Sequence, residues 1–594
     1  MLGRAAQVDV TDASTVVYAT DNRNDRPGIV ATRADDRWGV WYNRLNVQGT
    51  WQAWKVSLRL DNAWFYASPS ATGIALDLWR EHATTDPTGS GSEYFRRELL
   101  ESGVELSNRY INWLYPAKYS VSYETKLTEI AVGDFYAQLG RGLVLAVRKI
   151  DELASDVTVR GARITERIPL GDEVRLELTG LGGFMNPLRL DESSGRYVGV
   201  ATSRTLGWAA VTEAGMPRAV STDFVPDRAP TYAPDSVVAG QAQLGSRIVK
   251  VGTQASLLER QGPLNQDVIR TADKILTASQ SVHFPSIAES GSFYVEAAGQ
   301  RLQHSDSPTD DLDGYAVYTA TTATVRPVSL LVETKQYRRF FPLSANVDLT
   351  RAREFSLVQY SIPPNTLAFY SDAEVEGFNT CVTGGRAKGD VLLGPHASVY
   401  VWLGRYATWA ESVANARCDT ADENLNLAWD YASGFELTDD EDRTRAEVTL
   451  GARDDRTVVP ARLDGESTRT FYREGYVRYD YVQWLGGDFS LQNQGWHRKR
   501  YRPFSGWTDP SFEGYHTVAV HWSPKLSVAV SFEYDTNPQV APTYVNGLVQ
   551  LRPTSDSSIG LFVGQRRGMM RCVSGVCRVF PPFEGARLEA TVRF

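Results

Sequence analysis

The stretch GARLEATVRF, residues 585 to 594, decides how the chain reads. Its even positions, Ala586, Leu588, Ala590, Val592 and Phe594, are all apolar. Its odd positions, Gly585, Arg587, Glu589, Thr591 and Arg593, include no large apolar residue. A period of two describes a β-strand with one apolar face. The pattern recurs in KLSVAVSFEY (525–534), AEVTLGAR (446–453) and VRLELTG (174–180). It is looser in GLVLAVRK (142–149), GSFYVEAAG (291–299) and TVAVHW (517–522). The polar faces often carry full charges of both signs.

The 594 residues hold 62 Lys and Arg against 71 Asp and Glu, a net charge of -9. That balance lacks the basic excess of a nucleic-acid surface. Aromatics are abundant, with 15 Trp, 28 Tyr and 22 Phe. They cluster at strand ends: Trp38, Trp41 and Tyr42; Trp51 and Trp54; Trp64, Phe65 and Tyr66; Trp113 and Tyr115. Such placement suits rings at a water–lipid boundary. A Trp-rich soluble β protein, such as a lectin or propeller, shares the composition. No stretch approaches the ~18 uncharged apolar residues of a membrane helix. A membrane chain without one must be a closed barrel, which alone among sheets satisfies every backbone group in lipid. The mean hydropathy of -0.31 agrees, since half of each barrel strand avoids lipid.

Connections alternate in length. Short ones are GTW (49–51), LGR (139–141), PLGDE (169–173), LGPH (393–396) and SPK (523–525). Long ones are 67–107, 184–235, 261–290, 340–376 and 535–542, with a short helix expected in EYFRRELLESG (93–103). The expectation is an all-β, transmembrane antiparallel β-barrel of about 26 strands, roughly 22 to 28 and even, with long extracellular loops and short periplasmic turns. Residues 13–594 form this single domain. Residues 1–12 form an N-terminal tail without the apolar stretch of an intact signal peptide; the small residues of GRAAQ read as a signal-peptide remnant, with an ordinary N-terminus as the alternative.

On this plan Leu588, Val592 and Phe594 meet lipid. The lumen-facing candidates are Arg175, Glu177, Glu447, Arg453, Lys525, Glu533, Arg587, Glu589 and Arg593. Four cysteines in an exported chain suggest disulfides. Cys572 and Cys577, in RCVSGVCR, form one expected pair, and Cys381 with Cys418 the other.

VGDFYAQLGRGLVLAVRKIDE (132–152), LDGYAVYTATTATVRPVSLLVETKQYRRF (312–340) and GQRRGMMRCVSGVCRVFPPFEGARLEATVRF (564–594) resemble an uncharacterised family of bacterial outer-membrane β-barrels. The resemblance runs nearly end to end and implies fold and location in a Gram-negative outer membrane. It supplies no substrate and no catalytic residue. The terminal aromatic at Phe594, with Leu588 and Val592, is similar to the sorting signal read by the outer-membrane assembly machinery. That machinery and outer-membrane lipid, including lipopolysaccharide, are the implied partners, beside an unidentified periplasmic or surface protein.

Other chemistries fit less well. Strand-like alternation begins by Val16 and Val17, which leaves no room for the separate plug of a TonB-dependent receptor. His521 and Ser523 share a strand face, but no G-x-S-x-G elbow accompanies them, so no enzyme is expected. His497 and His521 could face each other as a metal pair or sit as polar lumen residues. GDFYAQLGRG lacks the lysine and helix of a phosphate loop. The acidic runs SDSPTDDLDGY (305–315) and LTDDEDR (437–443) are solvated loops; Asp311, Asp313 and Gly314 match only part of a calcium loop. They are the candidate places for a divalent cation or lipopolysaccharide, and no other cofactor is expected. The expected function is passive or gated passage of a solute or polymer across the outer membrane, in the manner of a porin. A structural barrel with a loop-filled lumen, anchoring a partner complex, is the alternative.

Overall fold

The structure is a computed structural model. It describes residues 6–21, 36–68, 112–187, 235–260, 274–303, 311–341, 343, 359–364, 381–409, 411–412, 417–418, 425–441, 443–458, 468–501, 510–537, 542–573, 576–580 and 582–594. The 93–103 segment lies outside them.

One closed antiparallel sheet of 24 strands dominates. Its first strands are β1 (Gln7–Asp21), β2 (Trp38–Trp51), β3 (Trp54–Ala67), β4 (Trp113–Glu124), β5 (Thr128–Phe135) and β6 (Ser155–Pro169). Then come β7 (Arg175–Pro187), β8 (Ser236–Gly245), β9 (Lys250–Glu259), β10 (Lys274–Ile287), β11 (Gly291–Gln303) and β12 (Leu312–Val325). Next are β13 (Val328–Arg338), β14 (Val382–Gly394), β15 (Ala397–Trp409), β16 (Leu425–Thr438), β17 (Arg445–Val458) and β18 (Thr468–Gly486). The last are β19 (Phe489–Tyr501), β20 (Ser511–Trp522), β21 (Leu526–Asp535), β22 (Thr543–Thr554), β23 (Ser557–Arg566) and β24 (Phe583–Arg593).

Each strand pairs with its neighbours in sequence, and β1 closes the ring on β24. Val16 stands between Trp41 and Leu588. Beyond the last ladder pair, Phe594 N–H donates to Val10 O at 2.8 Å. Closure removes both sheet edges, and the ladder is broken on one side of β4 and β6 where the chain leaves the wall. The first strand begins at Gln7, earlier than the expected boundary at residue 13. The 24 strands lie within the expected even range of 22 to 28, and some alternating segments leave the wall.

Short turns gather at the end that holds both termini. Several are capped by a side chain: Thr125 hydroxyl accepts from Thr128 N–H at 2.9 Å, and Ser246 hydroxyl from Val249 N–H at 3.1 Å. Asp439 accepts from Arg443 and Thr444 N–H at 2.7 and 3.0 Å. These residues favour turns because their oxygens reach backbone donors nearby. The acidic run 437–443 therefore belongs to a short turn. The run at 305–315 is strand from Leu312 onward. The expected long loop 261–290 is interrupted by β10 and by a tight turn at 288–290. The LGR turn at 139–141 is not in the wall at all.

The outer face carries an apolar belt. On β21, Val528, Val530 and Phe532 are exposed, while Ser527, Ala529 and Ser531 alternate with them. Aromatic rings mark both borders: Trp51, Trp54, Phe489 and Trp522 near the short turns, and Trp41, Trp64, Tyr66 and Trp429 near the long loops. Trp38, Tyr42 and Phe65 depart from the sequence reading, being buried with Val17 and Val40 inside the wall. A closed barrel with an apolar belt is the strand solution to spanning a bilayer. Val530→Arg should therefore cost about 2–4 kcal/mol in urea unfolding from lipid vesicles. Ser531→Arg, on the opposite face, should cost clearly less.

Candidate functional site

The candidate site is the inner wall at the long-loop end and the segment packed against it. Its central element is residues 136–154, between β5 and β6. They fold inward as a small hairpin, Ala137–Leu139 against Leu145–Val147. By its period alone GLVLAVRK reads as a wall strand. Instead, Leu143, Val144, Leu145, Ala146 and Val147 are all buried, on both faces. Consecutive burial breaks the period of two and is the signal that marks this segment as core.

The insert packs on the inner wall. Leu139, Val144, Leu145 and Val147 join Val157, Leu181, Val237, Leu258, Ile275 and Leu302 in one apolar cluster. A second inward segment, 359–364, lies beside it. Ala146 N–H donates to Tyr360 O and Ile362 N–H to Gly142 O, both at 2.8 Å. Burial of apolar surface at ~25 cal/mol per Å² makes this cluster the main force holding the insert.

The hairpin tip is fastened by polar side chains of the wall. Glu296 of β11 is fully buried. It accepts from Arg141 N–H at 3.0 Å, Ser279 hydroxyl at 2.8 Å and Tyr294 hydroxyl at 2.5 Å. A buried carboxylate is tolerable only with such a set of donors. The Arg141 guanidinium lies 4.7 Å from the Tyr294 ring centre. Gly140 N–H reaches Gln241, at 3.2 Å, and Ser256 hydroxyl reaches Val144 O, at 3.1 Å. Gly140 has φ of +55°, and a Cβ there would stand 2.6 Å from Glu296 Oε1. Both facts call for glycine.

Where the chain leaves the wall, β4 and β6 lose their ladder partner. Side chains bridge the gap. Arg160 and Asn186 both donate to Ala117 O, at 2.8 and 2.9 Å. Asp134 accepts from Tyr119 N–H at 2.9 Å. Beside them Asp156 binds Arg59 at 2.7 Å, Tyr136 hydroxyl at 2.8 Å, and Lys118. Pro116, which has no N–H to offer, sits on this open edge of β4.

Across the lumen, β17 to β21 present a rack of buried ion pairs. Arg453 pairs with Asp455, Arg498 with Glu474 and Glu513, and Arg500 with Glu513. Arg567, from the connection before β24, reaches Glu513 at 2.9 Å and Asp535 at 2.7 Å. That connection carries a hairpin, Met569–Val573 with Val576–Phe580, whose Phe580 packs on Ala146, Ile150, Leu153 and Ile362. Thus the hairpin sits over the insert.

The residues singled out from the sequence fall into separate local pairs. Glu177 meets Arg167 at 3.4 Å, Glu447 meets Arg445 at 2.8 Å, and Arg593 meets Asp9 at 3.2 Å. Arg587 pairs with Glu589. Arg453 belongs to the rack, and Glu533 accepts from Arg567 N–H at 3.3 Å. Arg175 is exposed at the end of β7. Lys525 differs from expectation: it lies in a short turn, its amine 5.1 Å from the Trp522 ring centre. Leu588, Val592 and Phe594 are exposed. The sequence reading does not single out Asp455, Glu474, Arg498, Arg500, Glu513, Asp535 and Arg567. The signal for them lies in TFYREGYVRYD (470–480), where Tyr472, Glu474 and Tyr476 share a face.

His521 meets Gln492 at 3.1 Å and stands opposite Ser490 and Ser527, while Ser523 lies in the turn. His497 and His521 are not opposed, since His497 faces Gly514. Among the described residues no group of three or more His, Cys, Asp or Glu could hold a metal. Cys381 is buried, and Cys572 stands opposite Cys577 in register.

No family model matches the chain, and no curated protein matches it by sequence. Solved structures do resemble it. A mutant of the ferric enterobactin receptor PfeA from Pseudomonas aeruginosa, in complex with enterobactin, is 8% identical with a TM-score of 0.44, covering 99% of this chain and 82% of that one. The siderophore receptor PirA from Pseudomonas aeruginosa is 8% identical, TM-score 0.40, covering 99% and 80%. The copper transporter OprC is 9% identical, TM-score 0.40, covering 100% and 81%. Likeness at this level carries no functional inference.

Asp156→Ala would leave Lys118 and Tyr136 without their carboxylate in a buried site, while Arg59 keeps Asp61 at 2.7 Å. It should lower unfolding stability by about 3–5 kcal/mol in denaturant titration of the folded barrel.

Proposed function

We propose that the chain is an outer-membrane barrel of a Gram-negative bacterium that passes a solute through a gated lumen, with residues 136–154 as the gate. The short-turn end and both termini then face the periplasm, and the long loops face outside. The observation that carries this reading is the insert itself: a hairpin of the chain's own wall, buried inside a closed barrel and fastened at its tip by Glu296. Open diffusion is disfavoured by the insert held against the inner wall at the long-loop end. A barrel that only anchors a partner complex is the second reading, favoured by the same continuous packing between insert and wall.

Planar-bilayer conductance separates the two. Native protein should be nearly silent. Replacing residues 137–147 with a Gly–Ser segment of equal length should give steady conductance steps, and Gly140→Val should give intermittent ones. Silence of both folded variants would leave the anchoring reading.

The C-terminal Leu588, Val592 and Phe594 are proposed as the signal for the assembly machinery, with lipid and lipopolysaccharide against the belt. Cys572–Cys577 and Cys381–Cys418 are proposed as the two disulfides. Peptide mapping without reduction should recover both pairs; free thiols at all four positions would contradict export.

A further inference from the structure

The outer wall of β18 to β21 departs from the apolar belt. Across these strands, rings and glycines alternate like a chequerboard. Tyr479 faces Gly495, which faces His516, which faces Phe532. In the next row Val477 faces His497, then Gly514, then Tyr534. A Cβ at Gly495 would collide with the Tyr479 hydroxyl, and one at Gly514 would stand 2.8 Å from His497 Nδ1. The glycines let the rings lie over the wall. Tyr479 and His497 stack at 5.8 Å with 21° between planes, and His497 and Tyr534 at 5.8 Å with 22°.

The edges of this platform are polar. Tyr479 hydroxyl is hydrogen-bonded to His516 Nδ1 at 2.6 Å and to His497 Nε2 at 3.3 Å. His497 Nδ1 is hydrogen-bonded to Tyr534 hydroxyl at 3.0 Å. Imidazoles on a lipid-facing surface are costly and mark function by default. An aromatic border accounts for tyrosines alone, but not for two histidines with glycines cleared beneath them.

Polarity is graded along the wall. Above the platform, towards the long loops, Lys499 is exposed, its amine 5.3 Å from the Phe512 ring centre, with no carboxylate partner among the described residues. Arg473 and Arg456 share one carboxylate, Asp454, at 3.4 and 3.1 Å, which leaves net positive charge. Below the platform Val518, Val520, Val528 and Val530 are exposed. Cations, then a flat hydrogen-bonding aromatic surface, then aliphatic wall: the order matches an anionic headgroup, a sugar ring and acyl chains.

We propose that the β18–β21 wall is a binding site for a phosphorylated glycolipid of the outer leaflet. Its phosphate sits against Lys499 and Arg473 through charge-assisted hydrogen bonds. Its sugar lies on the Tyr479–His497–Tyr534 platform, with His516 at the edge. This rests on the outer-membrane reading and adds a ligand class and place to it.

Native mass spectrometry of the full, folded barrel in detergent tests the site, with heat-modifiable gel migration as the fold control. The probes are bis-phosphorylated lipid A, its dephosphorylated form, and phosphatidylglycerol. Native protein should retain bis-phosphorylated lipid A, with removal of the phosphates weakening it about tenfold or more. Lys499→Ala with Arg473→Ala should weaken it similarly, and Lys499→Arg should restore most of it. His516→Ala should weaken both lipid A forms. Equal retention by the folded double variant, equal retention of phosphatidylglycerol, or a dimer in place of bound lipid would overturn the proposal. None of these results bears on the gate, whose conductance is read separately.

Discussion

Every backbone N–H and C=O at membrane depth must find a partner inside the protein, and the whole structure follows from that demand. It is why the sheet closes, with β1 hydrogen-bonded to β24 and the last residue paired to Val10. Once the ring is closed, each strand has one face outside and one inside. The alternation of apolar and polar residues is then forced rather than chosen.

The same demand explains the most irregular part of the wall. When the chain leaves at Phe135 to form the insert, two stretches of strand lose their ladder. The replacement is a set of buried side chains, Arg160, Asn186 and Asp134 on backbone atoms, with Asp156 among Arg59, Lys118 and Tyr136. Long polar side chains can reach across a gap that no backbone spans. The arrangement is costly unless every charge is paired, which is why acids and bases are interleaved there. It also ties the insert to the wall, so that gate and wall share one set of interactions.

Much of the fold was legible in the sequence because a strand with one lipid face writes its period directly into the residues. KLSVAVSFEY and GARLEATVRF are strands β21 and β24, and the turns at SPK and PLGDE stand where the pattern stops. The lumen was not legible. Residues 142–147 are buried on both faces, so the loose alternation of GLVLAVRK misreads them as wall strand, and Gly140 shows its purpose only beside Glu296. The rack was hidden for another reason: Glu474, Arg498 and Glu513 lie on three strands, and their meeting depends on register. Hairpin segments such as 569–580 alternate like wall strands yet leave the wall, which inflates a count made from period alone.

The central claim is that residues 136–154 lie inside the barrel as a folded plug. Hydrogen exchange of the native protein in detergent, followed by peptide mass analysis, reads this without any substitution. Amides of residues 142–147 should be protected on the timescale of the wall strands, because Gly142 and Ala146 are held within the insert and by the segment at Tyr360. Exchange of that peptide within seconds, at the rate of a solvated loop, would contradict the account and place the segment outside the lumen.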